Sequence, residues 1–137
     1  MRDKEIEKII LLFENRTLLI DEWTHQKHII AAVWYLMNYP KEKAYSIFRT
    51  NIIEYNNSVG TPNSSMRGYH ETITWFWLSE IEKLIHERKY GTVSQACENI
   101  LKSELSNSQY ILNYYSREFL FSTEARKNIL MPDLNPL

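Results

Sequence analysis

The stretch WTHQKHIIAAVWYLMNYP, Trp23–Pro40, decides how the rest of the chain is read. Thr24 stands where a helix N-cap belongs, because its hydroxyl can accept from an orphan amide of the first turn. An apolar run follows to Met37, and Asn38-Tyr39-Pro40 stops it. Ile29 to Met37 is the longest stretch free of charge and strong polarity. It is far short of the roughly 20 residues that a membrane span needs. The pattern predicts a second helix running to Met37, with the face through Ala32 and Tyr35 turned towards the core.

Other helices extend the pattern on both sides. Ile6, Ile9, Ile10 and Phe13 share one face of a first helix, about Asp3 to Asn15. Pro40 suits the first turn of a third helix, where its missing N–H costs nothing. Ala44, Ile47, Phe48, Ile52 and Tyr55 form that helix's stripe. Asn56 to Arg67 gathers Gly60, Pro62, Asn63, Ser64 and Ser65 and reads as a loop, long for a bundle connection. A fourth helix is predicted from Gly68 to Lys89, with His70, Thr74, Trp77, Ile81 and Leu84 on one stripe and Gly91 as a left-handed cap. Capping-box patterns at Thr92–Gln95 and Ser106–Gln109 open a fifth helix to Leu105 and a sixth to Tyr115. A short helix near Thr123 to Leu130 and an extended tail, Met131 to Leu137, complete the chain. The expected fold is all-α: an up-and-down bundle of about six helices, a short C-terminal helix and a tail, in one domain spanning 1–137.

Composition narrows the functional classes. Lys and Arg number 16 against 17 Asp and Glu, and no basic run exceeds isolated pairs, which disfavours nucleic acid as a partner. A single cysteine excludes an internal disulfide framework. Cys97 shares a stripe with Val93, Ile100 and Leu101 and reads as a buried apolar residue. Met1-Arg2-Asp3-Lys4-Glu5 leads directly into the amphipathic pattern, without a signal-peptide layout, so no membrane and a cytoplasmic location are expected. The 9 Tyr and 4 Trp each carry a polar atom that needs a partner when buried, leaving room for a partly polar interior.

Three of the four histidines point to a candidate site. His25 and His28 lie three apart directly after the Thr24 cap, and that spacing places both on one helical face. His70 heads the fourth helix with Glu71 beside it. In an up-and-down bundle the second and fourth helices run in the same direction, so the three imidazoles and the carboxylate can converge at one end. Such a donor set suits a divalent transition metal (Zn, Fe, Mn or Ni), with Glu71 as a further ligand or general base. Tyr55, Asn56 and Trp77 would then orient a substrate. The same histidines also serve a metal-free module that holds a small molecule among aromatics, or stand as ordinary core groups bonded to carbonyls. His86, flanked by Glu82 and Lys83 one turn back, reads as solvent-facing. Leu11 and Leu12, off the main stripe of the first helix, would seat a partner helix in a homo-oligomer.

The chain resembles an uncharacterised bacterial all-helical family. The motifs that carry the likeness are Trp23-Thr24-His25 with His28, Gly68-Tyr69-His70-Glu71-Thr72 with Phe76-Trp77, and Tyr115-Ser116-Arg117-Glu118 with Leu120-Phe121-Ser122. Glu124-Ala125-Arg126 and the closing Pro132-Asp133-Leu134 with Pro136-Leu137 extend it over nearly everything after Trp23. This resemblance implies an architecture and brings no activity. A looser likeness is to DinB-type bundles, which hold a metal with three histidines. Their pattern has a lone histidine and a pair four apart, whereas here the pair is three apart and comes first.

Overall fold

A computed structural model describes residues 1–137 and is helical throughout, with no strand. The α-helices are α1 (Asp3–Glu14), α2 (His25–Asn38), α3 (Lys41–Ser58), α4 (Glu71–Arg88), α5 (Val93–Leu101), α6 (Arg117–Leu120) and α7 (Thr123–Lys127). Short 3₁₀ segments at Ile20–Glu22, Glu104–Ser106 and Ser108–Asn113 join them. No helix is long and apolar enough to cross a membrane.

Helix α2 is the axis of the bundle and packs against α1, α3, α4 and α5. Five consecutive residues, Ile29 to Val33, are buried, so this helix presents no solvent face over more than one turn. A helix apolar all round belongs inside, and Ala31 and Ala32 are small enough to let neighbouring helices approach. Thr24 caps it as expected, its hydroxyl accepting from the Lys27 amide. Aromatic packing fixes the adjoining helices. Phe13 stacks on Trp23 with centroids 4.4 Å apart, and Tyr35 stacks on Phe48 at 5.6 Å. Tyr35, late in α2, meets Phe48 and Asn51 in the middle of α3, while Trp23, just before α2, meets Tyr55 near the C-terminal end of α3. Arg49 pairs with Glu71, and Lys41 with Glu82. Both comparisons make successive helices antiparallel, so α2 and α4 run in the same sense.

The polar ends of the buried tyrosines are satisfied individually. Tyr35 donates to Glu14 (2.7 Å), Tyr55 to the Leu18 carbonyl (2.8 Å) and Tyr115 to the Leu130 carbonyl (2.6 Å). Cys97 is buried as expected, and burial pushes its thiol up to about 12.

Several boundaries differ from the sequence reading, each for a local reason. The expected sixth helix is a 3₁₀ segment capped by Asn107, whose side chain accepts from the Gln109 amide. Ser103 caps the preceding 3₁₀ turn in the same way, so α5 stops at Leu101. Side chains that bond nearby amides repeatedly restart the backbone in this region and prevent a long α-helix. Lys89, at φ 48°, takes the left-handed position that closes α4, and Gly91 does not. Helix α3 runs on to Ser58, inside the stretch read as loop, and α4 starts at Glu71. The terminal helix ends at Lys127.

A second, smaller core of Phe76, Ile111, Tyr115 and Leu120 lies beneath the C-terminal segments. The tail is strapped across it. Asp133 accepts from the amide and hydroxyl of Ser116 at 2.8 and 2.6 Å, and the Leu134 amide donates to the Tyr114 carbonyl at 2.9 Å. Leu11 is 58 % exposed and Leu12 is half-buried, so the extra apolar residues of α1 divide between solvent and packing.

Gly68 and Gly60 both have positive φ, at 82° and 79°. A Cβ on Gly68 would lie 2.1 Å from the Pro62 carbonyl oxygen, whereas one on Gly60 would meet nothing within 4 Å. Gly60→Ala should therefore cost about 1–2 kcal/mol, the penalty of the left-handed conformation alone. Gly68→Ala should cost clearly more. Urea unfolding of the two variants measures the difference, and equal losses would contradict the close packing of this loop.

Candidate functional site

A cavity of about 340 Å³ opens between α2, α3, α4 and the C-terminal 3₁₀ and α6 segments. Its walls are mainly apolar, with Ile29 and Ala32 from α2, Phe48 and Ile52 from α3, and Ile73, Trp77 and Ile81 from α4. Leu112, Leu120 and Phe121 close the C-terminal side. The polar groups are few: His25, His28, Thr74, Ser108, Gln109 and Arg117. Of the residues singled out in the sequence, His25, His28 and Trp77 come together here.

The tautomers of both histidines follow from their partners, because a carbonyl oxygen can only accept. His25 Nε2–H donates to the Leu105 carbonyl at 2.9 Å, which leaves Nδ1 as the bare nitrogen. His28 Nδ1–H donates to the Thr24 carbonyl at 2.8 Å, which leaves Nε2 bare. Each ring is also clamped by an indole. His28 stacks on Trp23 at 3.8 Å, and His25 meets Trp77 edge-on at 4.6 Å. Burial lowers the proton affinity of both, opposed by the carbonyl bonds, and His28 is pushed down to about 4. The cavity is thus lined by two neutral imidazoles in fixed orientation, each with one unprotonated nitrogen.

His70 sits apart from this pair. It is 6 % exposed and precedes α4 as its N-cap. Its Nδ1 accepts from the Ile73 amide at 3.1 Å, and its Nε2–H donates to the Leu120 carbonyl at 2.6 Å. Both ring nitrogens are engaged, so the third imidazole has none left for an ion. Glu71 turns to another face. Its carboxylate accepts from Tyr69 at 2.7 Å and Tyr45 at 3.1 Å and pairs with Arg49 at 3.3 Å. Tyr55 is buried in the main core, and Asn56 donates to Asn63 within the loop. No group of three or more His, Cys, Asp or Glu side chains is placed to hold a metal ion. The expected three-histidine set with Glu71 is therefore not assembled in this arrangement, because α4 starts at Glu71 and not at Gly68, which turns His70 from a stripe residue into a cap.

Arg117 and Gln109 are members of the site that the sequence reading did not assign. Ser116 caps α6, accepting from the Phe119 amide, and so sets Arg117 at the start of that helix. There Arg117 donates to Gln109 Oε1 at 2.9 Å. In the sequence Arg117 stands only within the Tyr115-Ser116-Arg117-Glu118 motif, which carried no role. Comparison with protein-family models, with curated proteins and with solved structures returned no match.

The depressed His28 gives a signed pH prediction. Unfolded, this histidine titrates near its ordinary 6.5, while in the fold it stays neutral to about 4. Between those values the unfolded chain binds the extra proton, so stability falls as pH drops from 6.5 towards 4, by at most about 1.4 kcal/mol per unit. Replacing His28 by Asn keeps a donor for the Thr24 carbonyl and removes the titration. Urea unfolding across this range should give a shallower slope for the variant. Identical slopes would show that His28 titrates normally.

Proposed function

We propose that this chain is a binding module for a small, largely apolar organic molecule, held in the cavity between α2, α3 and α4. The observation that carries the reading is the pairing of apolar walls with two neutral, orientationally fixed imidazoles. A volume of about 340 Å³ lies at the lower end of the range for small-molecule sites, which suits a compact aromatic or short aliphatic body. The bare nitrogens of His25 and His28 would accept from a ligand hydroxyl or amine, and Arg117 with Gln109 would read a polar group at the C-terminal side. A site built to pair with a donor discriminates strongly against analogues that lack it.

Binding is favoured over acid–base catalysis by the low proton affinity of His28. A general base works best with a pKa near the operating pH, and a group held at about 4 is a weak base at neutrality. Glu71, the other titratable group considered for such a role, faces a different cleft.

The test combines a thermal-shift screen of phenols, indoles and short-chain alcohols with an Ala32→Leu variant. Ala32 lines the cavity and is buried, so leucine should fill part of the space at a cost of about 1–3 kcal/mol from crowding the neighbouring helices, with the fold of the variant checked by circular dichroism. Hits on the parent protein should weaken at least about tenfold in the variant and should be indifferent to chelator. Elemental analysis of untagged protein runs in parallel. Stoichiometric metal that is lost on replacing His28 by Asn would overturn the metal-free reading and place an ion between His25 and His28.

A further inference from the structure

On the other side of the α4 start a second cleft, of about 380 Å³, is lined by Arg49, Ser64, Ser65, Glu71, Arg126 and Lys127. It collects three cations against one carboxylate. That carboxylate is already committed, since Glu71 pairs with Arg49 and accepts from two tyrosines. Arg126 and Lys127 take part in none of the chain's ion pairs.

Arg126 is the informative residue. Its Nη1 donates to the carbonyls of Gly68 (2.8 Å) and Tyr69 (3.4 Å), which pins α7 to the loop before α4. Its Nε is sealed from solvent and has no acceptor, and Nη2 donates to nothing in the chain. A sealed Nε cannot touch an ion in the cleft, so Nη2 is the guanidinium donor left for an anion, and the orphaned Nε leaves the positive charge incompletely compensated. A guanidinium drawn partly out of water without an anionic partner is unfavourable, and an ion that completes it repays part of that cost.

The loop adds donors. Ser64 Oγ accepts from the amides of Met66 and Arg67, each at 3.2 Å, so its own proton is free to point elsewhere. The clash that any Cβ would make at Gly68 shows how tightly this loop is folded against itself. The Ser64 hydroxyl is therefore held at the cleft, with Ser65 next to it in the lining.

We propose that this cleft is an oxoanion site for a phosphoryl group, with Arg126 and Lys127 supplying the charge and Ser64 and Ser65 supplying hydroxyl donors. Donors drawn from the loop before α4 and from α7 suit a tetrahedral group with three or four oxygens better than a planar carboxylate. The phosphoryl group would come from inorganic phosphate or from a small phosphate monoester. The site is separate from the apolar cavity and does not depend on its ligand.

The experiment titrates the intact chain with inorganic phosphate and, separately, with glycerol 3-phosphate. NMR follows the Arg126 Nε–H resonance and the amides of Ser64 to Tyr69, with sodium chloride at matched ionic strength as reference. Saturable shifts at these positions are expected. A response to phosphate alone identifies the free ion, and a response to the ester identifies a monoester ligand. Lys127 is exposed and makes no hydrogen bond, so Lys127→Ala should fold normally and bind about tenfold more weakly. Arg126→Lys keeps the charge but cannot both hold the Gly68 carbonyl and offer the free Nη2 donor, and should weaken binding by at least as much. Shifts no larger than those from chloride, or unchanged affinity in Lys127→Ala, would overturn the proposal.

Discussion

Complete burial of the middle of α2 is the constraint from which the remaining packing follows. Once Ile29 to Val33 must all avoid water, helices are required on every side, and α1, α3, α4 and α5 supply them. Four elements around one cylinder cannot all be equidistant, and their shapes decide where the packing is incomplete. Phe13, Phe48 and Tyr35 fill the α1–α3 side with interlocked rings. On the α4 side the α2 surface is stepped down by Ala32, and the wall opposite comes from the irregular segment Ser108–Asn113. The cavity lies where regular helical packing ends.

Burying so many aromatics and histidines leaves polar atoms that must be paired inside, and the chain solves this largely with main-chain carbonyls. Leu18, Leu105, Leu120, Leu130 and Thr24 each offer a carbonyl oxygen to a Tyr or His side chain. These acceptors lie mostly in turns and 3₁₀ segments, where the carbonyls are not consumed by an α-helical ladder. Irregular backbone thereby acquires a structural purpose. It also sets chemistry, because a carbonyl acceptor dictates which imidazole nitrogen keeps the proton. His25 and His28 consequently present opposite nitrogens, Nδ1 and Nε2.

The sequence made the long elements legible and the site only in part. Periodicity and caps located α1 to α5, because stripes such as Ile6-Ile10-Phe13 and the Thr24 and Thr92 caps are local signals with local causes. The pairing of His25 with His28 was legible for the same reason, since three-residue spacing on a helix is a statement about one turn. The role of His70 was not. Whether a histidine precedes a helix or lies on its stripe depends on where the helix begins, and here the His70 ring is held in its capping position by the remote Leu120 carbonyl. Arg117 was hidden likewise. Its place depends on a cap by Ser116 that Asp133 reinforces from 17 positions away, and no periodicity reports such a contact.

The start of α4 ties the two clefts to the C-terminal segments. His70 reaches forward to Leu120 on the apolar-cavity side, while Gly68 and Tyr69 hold Arg126 on the charged side. Thr72, between them, donates to the Asn128 carbonyl and accepts from the Leu130 amide. Within five residues, then, one helix start anchors α6, α7 and the beginning of the tail. A displacement of α7 would alter the Arg126 contacts and the Thr72 bonds at once, and α6, which carries Leu120, packs directly on α7. The α6 residues Arg117 and Leu120 line the apolar cavity, and the α7 residues Arg126 and Lys127 line the charged cleft, so both clefts are built on the same helix start. The segment Gly68–Thr72 is thus the shared anchor of the C-terminal segments, with one cleft on each side of it.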